Sequence, residues 1–351
     1  MLVYLSTYLL LFSVGFIDSI NQSRKNNVFF ILVLLLICHD GLRWETGTDW
    51  DDYYKAFELC LSQPFDYWEV GYTFVMELIR SITDRYTIFL IFHAIFVYVL
   101  IATIFWKYSP IPTLSLFFFY GAMLPVLGMN RQYMALAICF LSIIFIIRRK
   151  LLFFLLCVFV AFLFHKSALI FIPAYFLTKS YSSKVYLLWI IVAILISFSG
   201  IIKLIPSNFI LLLYPEDYGS YVEYVDISFL SKILGIIRKL MWVAFVFFII
   251  KRQKRPNNFS LFFNLYFVSV IGYLLLNGTL FQIIVARGFI FYTVFEVFVL
   301  TYLISTLSDM RNKKIYLILI ALYYTFLLYK NITYYTDDGY NCFIPYRNVF
   351  M

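Results

Sequence analysis

The chain has 351 residues, of which 63% are hydrophobic and only 13% charged, with a formal net charge of +9. Soluble domains carry about 25% charged residues, so a mean hydropathy of +0.88 excludes a water-soluble fold and indicates an integral membrane protein with many spans. The positive charge sits in clusters between apolar runs, which is a membrane-topology pattern and excludes a nucleic-acid-binding surface.

In chain order, apolar runs fall at about 2–20, 28–38, 86–106, 111–128, 132–147, 151–164, 167–178, 185–205, 231–250, 259–277, 282–306 and 315–331. The first lacks a basic leading region and a small-residue cleavage pattern, so it reads as a retained helix. Several runs are shorter than the roughly 20 residues of a perpendicular span, which implies tilted or broken helices.

The connectors sort by charge. Arg24-Lys25, Lys107, Arg148-Arg149-Lys150, Lys179 with Lys184, 251–255 and Arg311 to Lys314 share one side, which the positive-inside rule makes cytoplasmic. Residues 39–85, 206–230 and the tail 332–351 fall on the other side and hold nearly all the acids. About twelve spans with both termini outside satisfy every connector. The expectation is an all-α polytopic membrane protein, a single integral membrane domain over 1–351. The run 151–178 also reads as one long span.

The first outer segment is the densest in polar and aromatic residues. Asp49 is placed to cap a helix beginning at Trp50, with Asp51 and Asp52 in its first turn. Arg43, Trp44 and Glu45 lie just upstream. Rings beside carboxylates suit a sugar, because rings stack on apolar pyranose faces while carboxylates accept hydroxyl hydrogen bonds. Trp44, Trp50 and Tyr53 are therefore candidate sugar contacts, and an interfacial aromatic belt is the other reading. Segments 50–60 and 71–82 predict interfacial helices, the first with Tyr53, Ala56, Phe57 and Cys60 on one face. Glu69 lies just ahead of the second.

Arg131 opens the run 132–147 on the outer side. A guanidinium beside backbone N–H donors suits phosphate, whereas a snorkelling anchor needs no ligand. His165-Lys166-Ser167-Ala168 interrupts 151–178, so His165 is expected below the membrane surface at the start of a second half-helix. The positive end of that helix disfavours imidazolium. A neutral imidazole there can act as a base, or it is a packing histidine in a hairpin. Arg238-Lys239 and Arg287 are further cations on or below the outer surface, with Glu296 as an internal partner for one of them.

Three histidines and five cysteines show no metal-ligand spacing, so neither a metal nor a cofactor is expected. Cys38, Cys139 and Cys157 lie in apolar runs. Cys60 and Cys342 fall in polar segments and are read as free thiols, with a bridge as the alternative.

The segment Gly41-Leu42-Arg43 through Gly47-Thr48-Asp49 with Tyr53 begins a pattern that spans almost the whole chain. It continues with Glu69-Val70-Gly71-Tyr72, Arg131-Gln132 and Phe164-His165-Lys166-Ser167-Ala168-Leu169. Arg287 with Tyr292 and the tail 341–350 with Pro345-Tyr346 complete it. In these residues the chain resembles the EpsG-like branch of the Wzy-type polymerases of bacterial surface polysaccharides, O-antigen included. The resemblance implies a GT-C-like glycosyltransferase membrane fold in the inner membrane, with its site toward the periplasm. It implies polymerisation of undecaprenyl-diphosphate-linked repeat units, the growing glycan leaving its carrier for the non-reducing end of a new unit. The partners implied are that lipid-linked oligosaccharide, membrane lipids and a chain-length regulator protein.

On this reading His165 is the first choice of base, with Asp49 and Glu69 as rivals. Arg131, Arg287, Arg43 and Arg238 would hold the diphosphate, and Trp44, Trp50 and Tyr53 would line the sugar path. A flippase for lipid-linked oligosaccharides would show related halves, which the sequence lacks. A ligase passing finished glycan to lipid A core is the third reading.

Overall fold

The computed structural model describes residues 1–22, 26–63, 68–124, 127–205, 229–250, 258–279, 281–334, 336–337 and 340–350. In chain order the helices are α1 Leu2–Asn21, α2 Val28–Gly41, α3 Trp50–Leu59, α4 Val70–Ile82, α5 Tyr86–Tyr108, α6 Pro112–Met123 and α7 Asn130–Leu141. They continue with α8 Ile143–Ile147, α9 Leu151–Phe162, α10 Ser183–Ser199, α11 Phe229–Ile250, α12 Phe259–Leu276, α13 Ile290–Thr293, α14 Glu296–Thr306 and α15 Met310–Tyr334. A 3-10 stretch Lys166–Phe176 follows α9, and a π-turn Ile284–Gly288 precedes α13. Among the described residues the strands have two residues each: β1 Arg43–Trp44, β2 Thr336–Asp337, β3 Tyr340–Asn341 and β4 Arg347–Asn348.

Among the described residues, five helices are long and apolar enough to cross a bilayer: Leu2–Asn21, Tyr86–Tyr108, Asn130–Ile147, Phe259–Leu276 and Met310–Thr333. Shorter apolar helices, among them Val28–Gly41 and Pro112–Met123, lie between them. The chain is a multi-pass, all-α membrane protein. Its outer surface fits that solvent. On α9, Phe154, Val158 and Ala161 form one buried stripe, while Leu152, Phe153, Leu156 and Phe159 are exposed and apolar. A helix with a narrow inward stripe and an apolar outer face belongs in lipid.

The chain divides into two compact units: Met1–Leu169 with Thr301–Met351, and Ile170–Leu300. In the first, α1 packs on α6 and α15, α2 on α5, α5 on α7, and α7 on α9. Glycines set two of these approaches. A Cβ on Gly15 would stand 3.0 Å from the Leu114 Cα, and one on Gly41 would stand 3.0 Å from the Ile91 Cα. Small residues at such crossings let membrane helices touch backbone to backbone. In the second unit, α10 and α11 pack on α12, which also carries the π-turn and α13.

The sequence reading holds at the break in 151–178. Helix α9 ends at Phe162, and the Ala168 N–H to His165 carbonyl bond of 3.0 Å opens the 3-10 half. At 282–306, expected as one span, a π-turn at Ile284–Gly288 precedes the apolar helical stretch Ile290–Thr306. The expected outer loop 206–230 lies outside the described residues except for its last two, which begin α11. The basic connector 251–255 also lies outside them.

Candidate functional site

Three distant segments meet around the loop 41–49. Thr48 N donates to the Leu127 carbonyl at 3.2 Å, and Gly47 N to the Cys342 carbonyl at 2.7 Å. Gly47 (φ +106°) and Gly128 (φ +105°) both have positive φ, and a Cβ on Gly128 would collide with the Thr48 backbone. Only glycine allows two strands of backbone to come this close in this conformation. The C-terminal tail closes the other side. β4 pairs antiparallel with β1, Arg43 opposite Asn348 and Trp44 opposite Arg347. Tyr346 OH donates to the His39 carbonyl at 2.7 Å, Arg347 N to Thr46 Oγ1 at 3.0 Å, and Arg347 forms an ion pair with Glu45. The tail is therefore a strap that holds the loop in register.

The clasp delivers α7 with Arg131 in its first turn. Arg131 Nη1 donates to Glu69 Oε2 at 2.7 Å, and Arg131 Nε to the Tyr53 hydroxyl at 3.3 Å. The guanidinium also lies over the Trp68 ring, 4.9 Å from its centroid. These contacts fix the cation on three sides. The other Glu69 oxygen, Oε1, accepts the Lys166 backbone N–H at 3.0 Å. Helix α4 carries Glu69 to that place because Gly71 N donates to the Leu163 carbonyl at 2.8 Å, docking the start of α4 on the end of α9.

Glu69 thus joins α7 to the break at His165. Its side chain is only 8% exposed. Burial by itself raises its carboxyl pKa. Arg131, then His165 and the Lys166 N–H, outweigh that and hold it below the ordinary carboxylate value. The Tyr53 phenol is raised, by burial foremost. At the break, His165 Nδ1 lies 2.6 Å from Ser167 Oγ and accepts the Ser167 backbone N–H at 3.3 Å.

Arg43 is turned away from this surface. It is 1% exposed, forms an ion pair with the fully buried Asp40, and donates from Nη2 to Asn130 Oδ1 at 2.7 Å. His93 Nε2 lies 3.3 Å from the Asn130 carbonyl and so donates to it. The expectation that Arg43 holds diphosphate is therefore corrected: its charge is compensated in the core, one residue behind Arg131. Asp49 is the N-cap residue of α3, with Asp51 and Asp52 in the first turn as expected, but it has a left-handed conformation (φ 55°) and no side-chain cap bond. Its carboxylate is at an exposed position instead.

Residues 26–348 match the EpsG family. The chain belongs to the EpsG family. No curated protein and no solved structure matches it. The match covers the clasp, the Arg131–Glu69 pair and the break at His165.

In this EpsG-family chain the structure brings Tyr53, Glu69, Arg131 and His165 into one neighbourhood. Trp44 and Trp50 pack on each other at 5.3 Å between ring centroids, and each packs on Tyr54. Tyr53 instead stacks toward Trp68 at 5.1 Å. Arg238 and Arg287 belong to the second unit. There Lys239, rather than either arginine, is buried, and the opposite charge of Glu296 acts on it. Asp40, His93, Asn130 and Trp68 escaped the sequence reading, and Lys166 entered it only as part of a motif. A signal existed for Asp40: a carboxylate ending an apolar run, three residues before an arginine.

Proposed function

We propose that this protein is a polysaccharide polymerase of the Wzy type, a membrane glycosyltransferase acting on lipid-diphosphate-linked repeat units at the periplasmic face of the inner membrane. The observation that carries the reading is the Arg131–Glu69–Lys166 linkage. A fixed guanidinium, held from three sides and flanked by sugar-compatible rings, lies beside a histidine in a membrane-embedded chain of the EpsG family.

In this reaction the acceptor sugar hydroxyl attacks C1 of the growing chain's reducing-end sugar. The new C1–O bond forms as the C1–O bond to diphosphate breaks. The electron pair leaves with the carrier diphosphate, whose charge Arg131 stabilises. The hydroxyl proton needs an acceptor. Glu69 has both oxygens engaged, by Arg131 and Lys166. Asp49, exposed one helical turn before Tyr53, takes the proton in this reading. Fixed cations supply the electrostatic role, so the scheme uses no metal.

The purified protein in proteoliposomes, given lipid-linked repeat units, should build a ladder of products. Cells lacking it should carry surface glycan limited to one repeat. Absence of any repeat in those cells would favour a ligase or a flippase.

A further inference from the structure

Asn130 is the first residue of α7 and stands directly before Arg131. It is 1% exposed, and every polar group it carries is engaged. Its side-chain oxygen accepts from Arg43 Nη2 at 2.7 Å, and its Nδ2 donates to the Tyr86 hydroxyl at 3.4 Å. Its carbonyl accepts from His93 Nε2 at 3.3 Å, and its N–H donates to the Gly128 carbonyl at 2.9 Å. A guanidinium only donates, so the amide atom that faces Arg43 is the oxygen, and the orientation of the amide is fixed.

These bonds converge from separate elements. Arg43 lies in β1 and is held by the buried Asp40 near the end of α2, through the ion pair and through Nη1 to the Asp40 carbonyl at 3.0 Å. Tyr86 and His93 belong to α5. Gly128 belongs to the clasp that closes on Thr48. A single side chain thus ties the first turn of α7 to a charge pair whose place the core dictates. The next residue depends on that tie. Arg131 N–H points at the Tyr53 hydroxyl at 3.5 Å and Arg131 Nε at the same oxygen at 3.3 Å, while Nη1 reaches Glu69. Those contacts hold only while the α7 backbone keeps its place, because hydrogen bonds weaken steeply with misalignment.

We propose that Asn130 is a positioning residue for Arg131: it transmits the fixed place of the Asp40–Arg43 pair to the start of α7, and so aims the guanidinium at the anionic group of the substrate. Arg43 then serves the site from behind, through Asn130, without touching substrate. This inference rests on the proposed function only for the identity of the anion, the carrier diphosphate. Glu69 and Tyr53 fix where the tip of Arg131 lies, and Asn130 fixes where its backbone starts. A displacement of about 1 Å in such a group can cost about a hundredfold in rate.

The test is whether Asn130 acts through Arg131. In proteoliposomes supplied with radiolabelled lipid-linked repeat units, Asn130→Ala is expected to slow chain growth on the order of tenfold per folded protein. In an Arg131→Ala background it should cause no further loss, because the cation it positions is gone. Asn130→Asp keeps an oxygen for Arg43 and should retain most of the rate. No loss from Asn130→Ala, or an equal loss in both backgrounds, would overturn the proposal, since a merely structural residue acts independently of Arg131. A second measurement needs no substrate. The coupling of Arg131 with Glu69 is read from the Tm values of wild type, Arg131→Ala, Glu69→Ala and the double variant, and then again with Asn130→Ala present. Asn130→Ala should remove most of that coupling, and a coupling of unchanged size would overturn the proposal. If Asn130→Ala fails to fold, Asn130→Ser takes its place in both measurements, because a serine hydroxyl suits a helix start but stops short of Arg43. A wild type that builds no polymer sinks the polymerase reading and leaves the coupling result standing. An active polymerase whose coupling survives Asn130→Ala sinks this inference alone.

Discussion

Arg131 Nη1 donates to Glu69 Oε2 at 2.7 Å, and the Lys166 amide donates to the other oxygen of the same carboxylate at 3.0 Å. One acid therefore ties the first turn of α7 to the break after α9. Because the guanidinium already has a protein partner, an arriving diphosphate would find the cation pre-oriented, with the cost of ordering it met by the fold.

The cation and its orienting acid should fail differently. Arg131→Ala is expected to lower chain growth by about a hundredfold or more. Arg131→Lys keeps the charge but loses the forked geometry, and should leave partial activity. Arg287→Ala is expected to behave like Arg131→Ala. The readout is the product ladder at matched protein level. Normal polymer from both alanine variants would reduce the two arginines to membrane anchors.

The clasp predicts a stability effect separate from chemistry. Gly128→Ala forces a Cβ into the Thr48 backbone at φ +105°. It should cost about 1–3 kcal/mol or more, seen as a lower Tm of the purified protein. Gly200→Ala is the control, since Gly200 has φ +76° with nothing within 4 Å of the added carbon. It should lose less. Equal losses would mean that the Gly47–Gly128 approach contributes nothing beyond its dihedrals.

How much of this was legible beforehand depends on the kind of signal. Apolar periodicity located the helices near 28–38 and 86–106, because lipid demands continuous apolar stretches. It could not foresee the π-turn at Ile284–Gly288, where a Cβ on Gly288 would stand 2.9 Å from the Ile170 side chain. The pairing of Glu69 with Arg131 spans 62 residues, and no local pattern encodes it. The inward turn of Arg43 was hidden for a different reason. An arginine in a polar loop reads as surface until its Asp40 and Asn130 partners are known.

Sidedness follows from the connector charges. A cysteine at the exposed Ser62, in a background lacking Cys60, should react with a membrane-impermeant maleimide in cells permeabilised only at the outer membrane. Labelling that requires rupture of the inner membrane would invert the topology, and with it the periplasmic site.

Substitutions at His165 and Asp49 test which of the two is the base. Glutamine can donate an N–H but cannot take a proton at neutral pH. His165→Gln should therefore stay within about tenfold of wild type, roughly 1.4 kcal/mol, while His165→Ala falls further. Asp49→Asn should lose about a hundredfold or more, the usual contribution of a general base. The reverse order would return the base to His165 and make Asp49 a loop residue.

Acid stability offers a test of Glu69 that needs no substrate. Its carboxyl is held below the ordinary value of 4.5 even though burial opposes ionisation, because Arg131, His165 and the Lys166 N–H favour the anion. A depressed folded-state pKa means that the unfolded chain binds the proton more readily. The stabilisation is then complete above the ordinary carboxylate value and is lost as pH falls through the lower, folded one. Glu69→Gln removes this titration and keeps a side-chain oxygen able to accept the Lys166 amide. The Tm difference between wild type and Glu69→Gln should therefore be constant from about pH 7 down to about pH 5 and shrink below that. A difference that stays flat through the acid range, or grows, would mean that the Arg131 pair does not favour the folded state. Arg131 would then be oriented by Tyr53 and Trp68 without help from the carboxylate.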